Sequence, residues 1–226
     1  MTRTTDGPRL IDDAPQGTER PFLPGMGKPW LMRFYDPLAV AVGMGRRYRR
    51  LVELAELTPG QRLLDVGCGT GTVLQTVART VPGLDLAGLD PDRRALARAA
   101  RKLRRAQANS TLIHGYADRL PFEDGSLDRI VSSLALHHLQ AADRERFAAE
   151  ALRVLRPGGT VTVLEIAGGA TEHDHQRHQH HQPAWQSLVD VSLPQLFSDA
   201  GFNDAREIDH ETSRLGPLIY LRADRR

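Results

Sequence analysis

Three glycines with an acidic residue in front of them form the segment of this sequence best suited to bind a ligand. Residues 62–72 read RLLDVGCGTGT, with Gly67, Gly69 and Gly71 at alternate positions and Asp65 two residues before the first glycine. Glycine permits positive φ angles and lets the backbone approach a ligand closely. A helix that follows such a turn offers free backbone N–H groups to polar or anionic groups. The segment therefore predicts a binding turn between a buried strand and a helix.

The spacing of the glycines and the position of two acids narrow the kind of ligand. A dinucleotide-binding turn reads G-x-G-x-x-G, whereas the glycines here follow G-x-G-x-G. Asp65 would repel a diphosphate but suits a cationic amine. Asp90 ends the next apolar segment, where a carboxylate can accept hydrogen bonds from both ribose hydroxyls. A nucleoside with an ammonium group and no phosphate satisfies these features, and S-adenosylmethionine is such a molecule.

Alternating strands and helices are needed to position this turn. The segments that predict strands are 62–67, 84–90, 110–117, 127–134 and 160–167, and those that predict helices are 71–81, 91–108, 141–155 and 194–202. Residues 204–210 and 217–223 predict a closing antiparallel hairpin. This order predicts an α/β fold with a mostly parallel sheet and helices on both faces. Ligands bind beyond the carboxyl ends of such strands, where the glycine turn lies.

Composition limits the class of protein further. A chain of 226 residues with a net charge of +2 suits one domain with extensions and gives no strong global field for nucleic acid. The single Cys68 allows no internal disulfide, and we interpret it as a small buried residue. No apolar segment predicts a membrane span or a signal peptide, so we expect a cytoplasmic protein.

The basic helix at 91–108 has two interpretations. Leu96, Ala99, Ala100 and Leu103 share one face, which predicts a helix that is buried on that face and solvated along its arginines. The alternative is an RNA-contacting surface.

Four segments, the first of which contains the glycine turn, resemble in their order the motifs of class I S-adenosylmethionine-dependent methyltransferases. They are LLDVGCGTGT, GLDPD, YADRLPFEDGSLDRIVSSLALHHL and ALRVLRPGGTVTVLEIA, and together with upstream residues they cover roughly 45–167. The upstream segment YDPLAVAVGMGRRYRRLVELAELTPGQ resembles the ubiquinone/menaquinone C-methyltransferases and their small-molecule-modifying relatives. The resemblance implies a Rossmann-like, doubly wound sheet of seven strands, mostly parallel with the last strand antiparallel. It also implies S-adenosyl-L-methionine as the cofactor.

The resemblance assigns the first motif to the methionine part of the cofactor. Gly67, Gly69, Thr70 and Gly71 would line the methionine moiety, and Asp65 would lie near its amine.

Other positions are implied for the adenosine part. Asp90 would hold the ribose, and Ala117 and Asp118 would meet the adenine edge. Ser133 would touch the cofactor from the other side, and Tyr35 would close over it from the N-terminal lid. Asp90 could instead cap the following helix, Asp118 a turn, and Ser133 or Tyr35 could be packing residues.

Methyl transfer needs a base only when the acceptor must lose a proton. The candidates are His137 and His138, after the fourth strand, and Glu165, at the end of the fifth. All three lie on the carboxyl side of the predicted sheet. A structural or substrate-shaping role for the histidines, and a bond from Glu165 to loop backbone, are the alternatives.

The domain boundaries follow from composition and from the resemblance. Residues 1–28 predict a flexible N-terminal arm, and 29–226 the methyltransferase domain, with a helical lid at 29–58 and a histidine-rich insertion on the substrate side at 168–192. Within that insertion, TEHDHQRHQHHQ at 171–182 matches no standard zinc spacing, so we predict no metal; metal binding and acceptor recognition are the alternatives to a polar lid. Its polarity argues against a polyprenyl quinone acceptor.

The predicted function is methyl transfer to the O, N or C atom of a small organic molecule, with no nucleic-acid partner and no membrane span. An RNA methyltransferase and a catalytically silent cofactor-binding scaffold are the alternatives. The sequence does not indicate the oligomeric state.

Overall fold

A single eight-stranded sheet forms the centre of the protein. The computed structural model describes residues 7–13, 43–167, 192–213 and 216–226. The strands are β1 (Arg9–Asp12), β2 (Arg62–Val66), β3 (Asp85–Asp90), β4 (Ser110–His114), β5 (Leu127–Ser133), β6 (Leu155–Ile166), β7 (Asp204–Ser213) and β8 (Gly216–Asp224). They lie in the order β1-β4-β3-β2-β5-β6-β8-β7.

Strand directions agree with the predicted mixed sheet. The strands β1 to β6 pair in parallel, and β8 is antiparallel to both β6 and β7. The glycine turn follows β2, which lies between β3 and β5, where the strand order reverses. This is the switch point at which open α/β sheets bind ligands.

The number of strands differs from the prediction of seven. The additional strand is β1, which pairs with the edge strand β4 in the register Arg9↔Thr111 to Asp12↔His114. It lies within the predicted N-terminal arm, of which the structure describes only 7–13. Its four residues are all exposed, so no alternation of buried and solvated positions marks it in the sequence.

Five helices within the described residues cover the two faces of the sheet. They are α1 (Met44–Leu54), α2 (Thr72–Thr80), α3 (Arg93–Arg105), α4 (Ala141–Val154) and α5 (Leu193–Asp199), and a 3₁₀ turn spans Leu136–His138. Residues of α1, α2 and α3 share one core with Leu63 of β2. Residues of α4 and α5 share a second core with the adjacent Leu64. Successive side chains of a strand point to opposite faces, so β2 contributes to both cores.

Burial explains why the central strands are continuously apolar. Leu63 and Leu64 are both fully buried, and each such leucine contributes about 1.5–3 kcal/mol relative to an exposed one. In α3 the predicted apolar stripe is also buried, with Leu96, Ala99 and Leu103 at 1% exposure or less. These packed elements hold β2 and β3 rigidly, and with them the turn that joins β2 to α2.

The boundary between α4 and β6 differs from the prediction because of hydrogen bonds to residues far away in the chain. The segment RPGG, which follows the helix predicted at 141–155 and precedes the strand predicted at 160–167, belongs to β6, which begins at Leu155. The backbone N–H of Gly158 donates to the Arg225 carbonyl at 2.7 Å, and the Arg225 N–H donates to the Gly159 carbonyl at 2.9 Å. The C-terminal residues therefore extend the sheet at this point. None of the helices within the described ranges is long and apolar enough to span a membrane.

Candidate active site

The glycine turn after β2 has left-handed backbone at all three glycines. The φ angles of Gly67, Gly69 and Gly71 are 73°, 51° and 74°. A Cβ on Gly67 would lie 2.4 Å from the Cβ of Ala135, and a Cβ on Gly71 would lie 2.9 Å from the Cβ of Ala99. A Cβ on Gly69 would meet no atom within 4 Å. The outer glycines are therefore fixed by packing, and the middle glycine faces open space in which a ligand can approach the backbone.

Backbone hydrogen bonds join this turn to the neighbouring strand β3. The N–H groups of Gly67 and Cys68 both donate to the Leu89 carbonyl, at 2.8 and 3.1 Å. The Cys68 side chain is buried, as predicted, and burial raises the pKa of its thiol. A protonated, buried thiol is a packing group rather than a nucleophile.

Asp65 is the most unusual residue of the site. Its side chain is only 1% exposed, yet neither carboxylate oxygen finds a hydrogen-bond partner within the described residues. Burial, followed by the charge of nearby Asp90, raises the pKa of Asp65 to about 8. An unpaired buried carboxylate costs free energy that a cationic hydrogen-bond donor would recover. This is the environment that the sequence predicted for an amine ligand.

Asp90, at the end of β3, is hydrogen-bonded to the glycine turn. One carboxylate oxygen accepts from the Gly69 N–H and the other from the Asp92 N–H, both at 2.8 Å. Burial raises its pKa to about 6, although these backbone hydrogen bonds act in the opposite direction. Asp92, and not Asp90, caps helix α3, since its side chain accepts from the N–H groups of Arg94 and Ala95. Each Asp90 oxygen retains capacity for a second donor such as a ribose hydroxyl.

Lys102 reaches the turn from helix α3, and the sequence does not predict this contact. Its ammonium donates to the hydroxyls of Thr70 and Thr72, at 3.0 and 2.8 Å. Thr70 is almost completely buried. The only available signal is the residue type, because Lys102 is the one lysine on a helix whose other basic residues are all arginine.

A small pocket opens over the turn. Its lining residues are Tyr48, Asp65, Gly67, Cys68, Gly69, Thr70, Thr72, Val73 and Ser133. The Ser133 hydroxyl is buried without a partner in the described part of the chain. Tyr48 comes from α1, where the sequence indicates only a core position on an apolar stripe. The structure thus brings the predicted residues Asp65, Gly67, Gly69, Thr70 and Ser133 around one space.

The chain turns sharply after Ser133. Leu134 has a φ angle of 53°, which costs a residue with a side chain roughly 1–2 kcal/mol. Its N–H donates to the Leu164 carbonyl of β6 at 2.8 Å. This backbone conformation redirects the chain from β5 into the 3₁₀ turn that carries the two histidines.

His137 and Glu165 form a hydrogen-bonded pair at the end of β6. Nδ1 of His137 lies 2.7 Å from Oε1 of Glu165, whose side chain is fully buried. The Glu165 carboxylate also accepts from the backbone N–H groups of Leu136 and Ile166, both at 2.9 Å. Glu165 therefore bonds loop backbone, one of the alternatives from sequence, and orients His137 as well. Since a carboxylate only accepts, the proton of the neutral imidazole lies on Nδ1 and leaves Nε2 as an acceptor.

His138 has a different environment from its neighbour. Burial is the main cause that lowers the pKa of His138 to about 4, with a smaller contribution from the adjacent His137 side chain, so the His138 ring is neutral at neutral pH. Its Nδ1 atom is buried without a partner among the described residues. The two histidine rings lie 4.0 Å apart between centroids.

The remaining predicted positions divide into two groups. Ala117 and Asp118 lie between β4 and β5; Ala117 packs against the second core, and the Asp118 carboxylate lies 3.7 Å from Nε of Arg146. Tyr35 and the histidine-rich residues 171–182 lie outside the described residues. Within the described ranges, no three His, Cys, Asp or Glu side chains are grouped as metal ligands.

Comparison with known proteins gives the family. Residues 63–159 match the model of the methyltransferase domain. An uncharacterised methyltransferase from Synechocystis is 31% identical over 201 residues, covering 79% of this chain and 85% of the relative. The chain belongs to the class I S-adenosylmethionine-dependent methyltransferases. The structure of a SAM-dependent methyltransferase from Aquifex aeolicus, 17% identical, superimposes with a TM-score of 0.65 over 87% of this chain and 97% of that chain. It supports the Rossmann-like fold of the methyltransferase.

A second group of relatives matches over a shorter length. The demethylmenaquinone methyltransferase of Renibacterium salmoninarum is 36% identical over 129 residues, covering 57% of this chain and 51% of the relative. The methyltransferase thus spans about half the length of that relative.

The described residues fit the family's cofactor. The unpartnered carboxylate of Asp65 suits the ammonium group of S-adenosylmethionine, and the open side of Gly69 leaves room beside the backbone. Among the described residues, no cluster of basic side chains lines the pocket at the turn for a phosphate, and Lys102 is bonded to two threonine hydroxyls. The fit therefore rests on the charge and burial of the site as well as on its sequence motif.

Proposed function

We propose that this methyltransferase transfers the methyl group of S-adenosylmethionine to a small organic acceptor that approaches beside the imidazole of His137. The observation that carries the proposal is the buried carboxylate of Asp65 at the foot of the glycine turn, which has no hydrogen-bond partner among the described residues. A group of this kind is costly in the free protein and useful only with a cationic ligand.

The methionine part of the cofactor would be held by the turn itself. Asp65 would accept from the ammonium group, and the backbone of Gly67, Gly69 and Gly71 would lie against the methionine chain, with Thr70 beside it. Lys102 fixes the Thr70 hydroxyl and thereby the path of the turn. Asp65 lies below the turn and lines the pocket, which supports placing the methionine end of the cofactor there.

The adenosine part would lie toward β3 and β4. Asp90 would accept from the ribose hydroxyls while keeping its bond to the Gly69 N–H. Ala117 and Asp118 would meet the adenine edge. Ser133 would approach from β5, where its hydroxyl is free of partners among the described residues. The lid, residues 29–58 with Tyr35, and the insertion 168–192 would close the acceptor side.

Bound S-adenosylmethionine supplies a sulfonium methyl group that is already activated toward nucleophiles. The protein's own task is to align the acceptor and exclude water. When the acceptor carries a proton, His137 would remove it through Nε2, because Nδ1 faces Glu165 at 2.7 Å. Glu165 is a positioning residue in this scheme, since its carboxylate is fully buried and bonded to His137 and two backbone N–H groups. His138, neutral and partly buried, would shape the acceptor side.

The acceptor class is proposed from two kinds of support. Relatives include demethylmenaquinone methyltransferases, whose name gives a quinone, and not a nucleic acid, as their acceptor. In α3, the arginines at 93, 94, 101, 104 and 105 are exposed, Arg98 is half-buried and the apolar stripe is buried. The helix therefore has mainly the form expected of a solvated surface helix. We therefore favour a small molecule over RNA.

Calorimetric titration with S-adenosylhomocysteine tests the cofactor site. We expect wild type to bind, and Asp65→Asn to bind at least tenfold more weakly. The same variant should bind 5′-methylthioadenosine, which has no amino-acid group, as wild type does. Binding of a dinucleotide in place of S-adenosylhomocysteine would contradict the proposal.

Transfer of radiolabelled methyl groups from S-adenosylmethionine tests the acceptor. The panel contains phenols, hydroquinones, amines, carbon acids and transfer RNA. We expect label in one of the small-molecule classes. Label in RNA would favour the RNA methyltransferase, and tight cofactor binding with no transfer to any acceptor would favour the silent scaffold.

A further inference from the structure

The additional strand β1 ends beside the adenosine side of the cofactor site assigned above. We propose, on the basis of that assigned site, that β1 is a clasp whose last residue, Asp12, and the following Asp13 position the two loops that receive adenosine. These loops are residues 91–93, after Asp90, and residues 115–119, which contain Ala117 and Asp118.

Strand β1 contributes little to the hydrophobic core. Its four residues are all exposed, with Leu10 at 59% and Ile11 at 49%. It nevertheless pairs with β4 over its whole length, and its end is level with the end of β4, since Asp12 lies opposite His114. A strand that buries so little apolar surface gains little stability from burial. The contacts at its carboxyl end are polar and reach two loops.

Asp12 reaches the loop that follows β3. One carboxylate oxygen lies 2.8 Å from Nδ1 of His114, and the other accepts from the guanidinium of Arg93. Nε2 of His114 lies 3.2 Å from the carbonyl oxygen of Pro91. Through these contacts Asp12 is tied to both residues that flank Asp92, immediately after the proposed ribose ligand Asp90.

Asp13 reaches the loop that follows β4. Its N–H donates to the His114 carbonyl at 3.0 Å, which continues the pairing of β1 with β4. The guanidinium of Arg119 donates to both the backbone carbonyl and the carboxylate of Asp13, each at 3.1 Å. Arg119 directly follows Asp118, whose carboxylate faces Arg146 on the opposite side. Residues 115–119, the loop that would receive the adenine, are therefore held between β1 and α4.

The two aspartates thus connect both loops, residues 91–93 near the proposed ribose site and residues 115–119 near the proposed adenine site, to one strand. Loops that are fixed before a ligand arrives cost less ordering free energy on binding. Release of the clasp should therefore weaken binding of the adenosine part and leave the methionine end unaffected.

The test compares two ligands on the full chain. We expect Asp12→Ala/Asp13→Ala to raise the Kd of S-adenosylhomocysteine and of 5′-methylthioadenosine by a similar factor, roughly tenfold. The matched control is Asp85→Ala, which removes an exposed aspartate of the same sheet that pairs with Arg62 at the opposite end of its strand. The control should bind both ligands as wild type does.

Hydrogen exchange reports the clasp directly. In the double variant, the amides of Asp92, Arg93 and residues 115–119 should exchange faster than in wild type. In Arg119→Ala, which keeps the Asp12 contacts, faster exchange should be confined to 115–119.

The outcomes are separable. Unchanged affinity for both ligands in the folded double variant, or unchanged exchange in both loops, would overturn the clasp and leave the proposed function intact. A loss restricted to S-adenosylhomocysteine would overturn it too, because the defect would lie at the methionine end. Failure of wild type to bind S-adenosylhomocysteine would instead overturn the cofactor site on which the clasp depends.

Discussion

The imidazole of His137 is hydrogen-bonded through Nδ1 to a carboxylate of Glu165 that is shielded from solvent on all sides. The two atoms lie 2.7 Å apart, and the Glu165 side chain has no exposed surface. Two backbone N–H groups fix the carboxylate in turn. The ring is thereby oriented, and its second nitrogen is kept available as a hydrogen-bond acceptor.

The first prediction concerns the role of His137 as a base. His137→Asn should lower kcat by about 10²–10⁴-fold for an acceptor that must lose a proton, because a positioned base contributes that much. The Kd of S-adenosylhomocysteine should be unchanged. Activity should recover at a pH above the acceptor's own pKa, where the acceptor is already ionised. His210→Asn, on an exposed histidine of β7, is the control; equal loss in both variants would contradict the role.

The second prediction concerns the stability of the ligand-free protein. The pKa of Asp65 is raised to about 8 by burial, so its contribution to stability is complete below about pH 4, the unfolded-state value, and is lost as the pH rises toward 8. Asp65→Asn cannot ionise. Its melting temperature should therefore match wild type near pH 4 and exceed it at pH 8, by roughly 5 °C if the difference is ~2 kcal/mol. A constant difference between pH 4 and 8 would show that Asp65 does not titrate in this range.

The third prediction concerns the contact of Lys102 with the turn. Lys102→Met keeps the length of the side chain and removes the donors to Thr70 and Thr72. We expect the Kd of S-adenosylhomocysteine to rise about tenfold, since a hydrogen bond from a charged group contributes about 1.5–3 kcal/mol. Arg101→Met removes a neighbouring cation that bonds only the Ala97 carbonyl of its own helix among the contacts described, and should bind normally.

The fourth prediction separates two glycines of the same turn. Gly67→Ala places a Cβ 2.4 Å from that of Ala135, so it should destabilise the fold by about 3 kcal/mol or more. Gly69→Ala meets open space and should cost only about 1–2 kcal/mol from its positive φ. Gly69→Ala should nevertheless weaken cofactor binding, because its methyl group occupies the space beside the turn. Urea unfolding and calorimetry distinguish the two effects.

Local patterns in the sequence were sufficient for the central part of the fold. The buried strands β2 and β3, the helix α3 with Leu96 and Leu103 inward, and the closing hairpin each follow from apolar spacing and turn residues. The position of Asp65 and Asp90 at strand ends followed from the same patterns. The fold class and the cofactor were predictable because these signals are all local.

Contacts between distant segments could not be predicted in this way. Strand β1 depends on pairing with β4, about 100 residues away, and carries no buried stripe of its own. The hydrogen bonds of Lys102 depend on how α3 packs beside the turn. The engagement of Glu165 with His137 likewise requires β6 to end beside the turn that follows β5. These relationships are set by tertiary packing.

The missing side chain of Gly67 has a kinetic consequence. Ala135 fills the space that a Cβ of residue 67 would occupy, so the turn proposed to receive the methyl donor touches the segment leading to the histidines. A donor that orders the turn on binding would therefore also order the segment that carries His137 and His138. We expect sequential kinetics in which the donor enters first and S-adenosylhomocysteine leaves last. Competitive inhibition by S-adenosylhomocysteine against the donor and noncompetitive inhibition against the acceptor would reveal this order, and the reverse pattern would exclude it.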